Sequence, residues 1–109
     1  MAKTIALIGA FDTKGEEYAF VKRCIEAQHF ETLSIDIGVI GEPVHVKPDV
    51  TSSQVAEAGG ETLDSLRKKR DRGHAMRVMS KGAAILVRRL YDEGRFAGIF
   101  GMGGTGGSS

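Results

Sequence analysis

Apolar residues along this chain come in short blocks cut off by glycines or charges, and the period inside each block changes from one to the next. Thr4 to Ile8, "TIALI", is almost wholly apolar and stops at Gly9, which predicts a strand buried on both faces, as in a parallel sheet. From about Gly15 to Gln28 the period turns helical. Tyr18, Val21 and Ile25 form one stripe with Phe20, Cys24 and Ala27 beside it, and Glu16, Glu17, Lys22, Arg23 and Glu26 take the outer positions. Thr32 to Ile37, "TLSIDI", reads as a second strand, closed by the glycines and proline of "GVIGEP". Val44 to Val50, with prolines at its margins, reads as an extended loop, and Ser52 to Ala58 as a short helix stopped by Gly59 and Gly60. A polar, basic segment follows. From about Arg72 to Glu93 the helical period returns, with Ala75, Met79, Ala83, Leu86 and Leu90 in register and Met76, Val87 and Tyr91 widening the stripe. Asp71 stands as its N-cap and Gly94 as its stop. Phe96 to Phe100, "FAGIF", is a third short strand that runs into the terminal glycines.

Strand, helix, strand, long helical crossover, strand is an α/β pattern. Right-handed crossovers make the sheet parallel. The expected fold is a three-layer, Rossmann-like parallel sheet, truncated, with strand order 2-1-3. In that order the winding reverses between the first and third strands, and a crevice opens at their carboxyl ends.

Composition narrows the function classes. The chain has 109 residues, 41% hydrophobic and 27% charged, with 15 basic against 14 acidic residues and a net charge of +1. A balance so near neutral gives no overall field toward nucleic acid or a membrane surface, so function must come from a local site. The apolar runs reach about six residues where a bilayer span needs about 20, and Met1 to Leu7 lacks a secretory apolar region. A cytoplasmic setting is therefore expected. One cysteine makes no internal disulfide, and Cys24 among apolar neighbours reads as an inert buried thiol. Three scattered histidines give no zinc spacing, and no metal ligand set is assigned. His74 reads as structural, and the run "RKKRDR" from Arg67 to Arg72 as a solvated face, since it has no interleaved aromatics.

Two loops fall at the expected crevice: "GAFDTKGEE" after the first strand and "GMGGTGGSS" after the third. A glycine-rich turn leaving a parallel strand lets several backbone N–H groups converge on an anion. Gly103, Gly104, Gly106 and Gly107 supply such a turn, with the hydroxyls of Thr105 and Ser108 as further donors. Neither the G-x-x-x-x-G-K-[ST] nor a strict G-x-G-x-x-G fingerprint is present, so a flexible linker or packing glycines stand as the bland alternatives. A buried strand leading straight into the tail favours the anion site. In the first loop Thr13 and Glu16 have capping-box order. Lys14 gains nothing from the dipole of a helix N-terminus and suits pairing with a bound anion. Asp12 suits Mg²⁺ through water, a ribose hydroxyl, or an Asx turn. Asp36, near the end of the second strand, suits a ribose hydroxyl or a strand position with one wet face.

Taken in order, "GAFDTKGEE", "DIGVIGEP", "DRGHAMRVMSKGAA" with "LYDEGR", and "GIFGMGGTGGSS" resemble the tobamovirus-resistance-type proteins, a family with plant, fungal and bacterial members. The resemblance implies that residues 1–109 are the N-terminal part of an α/β nucleotide-binding domain, the rest of that domain and a second domain belonging to a considerably longer protein, with ATP, with or without Mg²⁺, as cofactor. Its site would take in Phe11, Asp12, Thr13, Lys14, Asp36 and the segment Gly103 to Ser108. Ala10 departs from the threonine common in that family before Phe-Asp. The favoured expectation is nucleotide binding, with a nucleotide or phosphorylated small molecule as partner, no nucleic acid and no membrane. The alternatives are part of an enzyme acting on a phosphorylated or carboxylated small molecule, and a dimeric interaction scaffold. An open three-stranded sheet would leave an exposed edge, which makes a homo-oligomer the expected assembly.

Overall fold

The computed structural model describes residues 3–101. Its elements are β1 (Thr4–Gly9), α1 (Phe11–Ala27), β2 (Glu31–Asp36), α2 (Ser52–Ala58), α3 (Leu63–Lys69), α4 (Arg72–Asp92) and β3 (Gly98–Gly101). The strands form one sheet in the order β2-β1-β3. Both pairings are parallel, from Thr4 opposite Glu31 to Gly9 opposite Asp36, and from Ile5 opposite Gly98 to Ile8 opposite Gly101. The expected Rossmann-like sheet and its 2-1-3 order are therefore observed.

β1 is the central strand, which is why its apolar run has no alternation: Ala6 and Leu7 point to opposite faces and both are fully buried. On one face Ala6, Leu33 and Ile35 pack with Val55 and Ala56 of α2, Leu66 of α3, and Ala75, Val78, Met79, Ala83 and Leu90 of α4. On the other face Leu7 packs with Phe11, Tyr18 and Ala19 of α1 and with Val46. The three layers follow from the alternation of side chains along each strand. Gly9 lets Tyr18 cross the end of β1, where its hydroxyl donates to the carbonyl of Ile8; a Cβ at Gly9 would lie 2.2 Å from the ring.

Three local expectations are corrected. α1 begins at Phe11 rather than near Gly15, because the Ala10 carbonyl already accepts from the N–H groups of Thr13 and Lys14, and a kink at Lys14 (φ −117°, ψ 18°) joins this turn to the rest. Thr13 therefore lies inside the first turn, and its expected capping box with Glu16 does not form. The polar stretch after Gly60 contains α3, capped by the Thr62 hydroxyl accepting from Ser65 N–H and ended by Arg70 in the left-handed region. Cys24 is exposed, not buried, because α1 covers the sheet mainly with its N-terminal half. The remaining boundaries agree closely. Asp71 caps α4 by accepting from His74 N–H, and Gly94, at φ 73°, follows its end.

The two outer edges of the sheet differ. Along β2, Ser34 donates its N–H to the Asp49 carboxylate and its carbonyl accepts from the N–H groups of Asp49 and Val50, so residues 49–50 cover that edge. Among the described residues no strand lies outside β3. Two of its side chains, Ile99 and Phe100, remain exposed.

Candidate functional site

The carboxyl ends of the strands carry two described segments, residues 10–14 after β1 and residues 37–46 after β2. Two aspartates hold them together. Asp36 ends β2 with its side chain 1% exposed, and its Oδ1 accepts from the N–H of Phe11 at 3.2 Å and of Gly38 at 2.9 Å. It thus satisfies a free N–H of the first turn of α1 and tightens the turn after β2. Burial pushes its carboxyl above the usual range, against the two N–H bonds that favour the charge, and the nearby Asp12 and Glu42 add to the rise. Asp12, the residue after Phe11, extends its Oδ2 to the N–H groups of Ile40 at 3.1 Å and Gly41 at 3.0 Å. Its Oδ1 is enclosed without a hydrogen-bond partner, against Gly38, where a Cβ would lie 2.4 Å away. Gly38 is thus required by the close approach of Asp12.

The strap from Glu42 to Val46 then lies over α1. Val44 donates its N–H to the carbonyl of Phe11 at 3.0 Å, and Val46 is buried in the α1 core. The carbonyl of Val44 comes so near Gly15 that a Cβ there would meet it at 1.9 Å. On the opposite side Arg67, from α3, donates from Nε to the carbonyl of Val39 at 2.6 Å and from Nη2 to that of Gly41 at 3.2 Å. The first arginine of "RKKRDR" is therefore a clamp and not part of a solvated face, which corrects the reading of that run.

The expected site residues separate by position. Phe11 is fully buried, its ring centroid 5.2 Å from that of Tyr18, and Asp36 is enclosed; both lie inside the fold beneath the carboxyl ends of the strands. Asp12 joins the two segments. Thr13 and Lys14 are exposed on the first turn of α1. Gly103, Gly104, Thr105, Gly106, Gly107 and Ser108 lie outside the described residues. The strand that leads to them is placed: Gly101 stands opposite Ile8, one residue before the end of β1. Sequence reasoning missed Arg67 and the 37–41 turn as parts of this site. The sequence signal for α3 was present, in Thr62 before Leu63 and Leu66 at helical spacing, and a helix there brings Arg67 within reach of the loop.

Among the described residues no group of three or more His, Cys, Asp or Glu side chains stands ready to hold a metal ion. No helix among them is long and apolar enough to cross a membrane.

Compared with known proteins, residues 3–109 match a family described as "Uncharacterised protein family (UPF0261) N-terminal domain". A UPF0261 protein of Clostridium tetani is 47% identical over 109 residues, covering 100% of this chain and 27% of that protein. A UPF0261 protein of Brucella suis biovar 1 is 35% identical over 101 residues, covering 93% and 24%. One of Rhizobium meliloti is 34% identical over 107 residues, covering 98% and 26%. The chain thus spans about a quarter of the length of these relatives. No solved structure matches significantly. These matches correct the resemblance to tobamovirus-resistance-type proteins: the family they identify is UPF0261, and none of them is of the resistance type.

Proposed function

This chain belongs to the UPF0261 family, of which it carries the N-terminal domain, and on that premise we propose that it binds a nucleotide, ATP first among the candidates, at the carboxyl ends of its parallel strands. The observation that carries this reading is the parallel pairing of β1 with β3 in the order β2-β1-β3. It sets the exposed Thr13–Lys14 turn and the strand that feeds the glycine-rich segment side by side, where the winding of the sheet reverses.

The roles follow from charge and donor type. Backbone N–H groups of Gly103 to Gly107 and the hydroxyls of Thr105 and Ser108 surround phosphate oxygens. The Lys14 ammonium neutralises phosphate charge, and the N-terminal turn of α1 faces the same ligand with its positive dipole end. Thr13 offers a hydroxyl to the ribose or to water around Mg²⁺. Asp36 and Phe11, enclosed as they are, shape the floor. No nucleophile paired with a base is evident among the described residues of the site, so the reading is one of binding. Turnover, if the whole protein performs it, draws its acid and base from elsewhere in the longer chain.

Isothermal titration of the full-length protein with ATP and with GTP, each with Mg²⁺, tests the reading. Binding is expected, weakened about tenfold or more in Lys14→Ala. Absence of heat with both nucleotides would sink it.

A further inference from the structure

The loop from Ile37 to Val44 is irregular backbone at the rim of the sheet, yet it is gripped from two sides. Asp12 of α1 takes the N–H groups of Ile40 and Gly41, while Arg67 of α3 donates to the carbonyls of Val39 and Gly41. Glu42, 3.5 Å from Nη2 of Arg67, adds an ion pair at the outer rim. The guanidinium suits this task because its planar fork spans two carbonyls at once, which a lysine ammonium cannot do in the same geometry.

The grip has an electrostatic consequence. The N–H groups of Gly38, Ile40 and Gly41 already end on carboxylates, so they are not open to an anion. Asp12, Asp36 and Glu42 bring carboxyl groups together at this loop. Phosphate is therefore disfavoured over β2 and directed toward Lys14 and β3. What the loop does offer is apolar surface on immobilised backbone: Ile40 is 73% exposed and Val44 44% exposed.

We infer that Arg67 is a positioning residue which, with Asp12, holds the 37–44 loop as the wall meeting the uncharged base-and-sugar end of the nucleotide, while the phosphates lie toward Lys14. This rests on the nucleotide reading above. Fixing such a wall before binding removes part of the ordering cost that a loose loop would impose on the ligand.

The test compares ATP with inorganic tripolyphosphate, each with Mg²⁺, on the full-length protein. Wild type is expected to bind ATP more tightly than tripolyphosphate. Arg67→Ala should lose about tenfold for ATP with tripolyphosphate unchanged within about twofold, and Arg67→Lys should fall between. Ile40→Ser, at an exposed position that leaves the core intact, should weaken ATP alone. Unchanged ATP affinity in both Arg67→Ala and Ile40→Ser overturns the inference. So does an equal loss for both ligands in Arg67→Ala with a lowered melting temperature, which is what a purely structural arginine would give. If wild type binds both ligands equally, the wall is wrong and the phosphate site stands. If it binds neither, the nucleotide reading itself has failed.

Discussion

Asp36 shows how far a residue's chemistry can be read before its neighbours are known. An acidic residue at the end of a second parallel strand suggests a ribose acceptor, and its position there is correct. Its environment makes it a cap instead, since the carboxylate is enclosed and spends Oδ1 on Phe11 and Gly38. Asp36→Ala is expected to destabilise the domain by about 1–3 kcal/mol for each N–H left unpaired. Asp36→Asn keeps an acceptor and removes the cost of burying a charge. The folded carboxyl is harder to ionise than an ordinary one at 3.8, so wild type has its full contribution below that value and loses it as pH rises through the folded value. The melting temperature of Asp36→Asn relative to wild type should therefore increase with pH across that interval. A difference that stays flat or falls would contradict the assignment. Lys14 was legible only as an exposed cation near the helix entrance, since it sits at a kink inside α1 and not ahead of its first residue.

Among the elements, the long helices and strands could be read because their apolar periods are sustained. The short ones depended on packing partners. α4 carries a clear stripe, but the stripe misses Val78 and Gly82, which are buried against α2. A Cβ on Gly82 would lie 1.9 Å from the carbonyl of Val55, and one on Gly59 would lie 2.2 Å from that of Val78. Two glycines thus let the helices cross with their backbones nearly touching. Gly82→Ala favours helix propensity by about 1 kcal/mol, yet this overlap is with backbone that cannot swing aside. A net loss of about 1–3 kcal/mol is expected, readable in chemical denaturation; a neutral or stabilising outcome would mean that α2 and α4 do not meet as described. Met76 and Tyr91, which the helical pattern assigned to the buried stripe, are largely exposed. α3 shows the opposite failure: its basic last turn hid a helix anchored by a single buried leucine, Leu66.

For the whole molecule the open question is the outer edge of β3. β2 is covered by residues 49–50, but on its outer side β3 has no partner strand among the described residues, and Ile99 and Phe100 lie exposed beside that edge. An uncovered strand with apolar neighbours is a template for pairing. Residues 1–109 expressed alone are expected to self-associate, and light scattering that shows a stable, cooperatively folding monomer would refute this. The order of strands, the parallel pairing and the crossover layers were already determined by the sequence, because burial period and crossover handedness are properties of local pattern and chain chirality. The strand ends were legible for the same reason: both β1 and β3 end in glycine. Only the tertiary structure decided which polar groups are spent inside the fold. Asp12 and Arg67 are separated by 55 positions and seize the same loop from opposite sides. No local pattern encodes that meeting, since it depends on where two helices come to rest on one sheet.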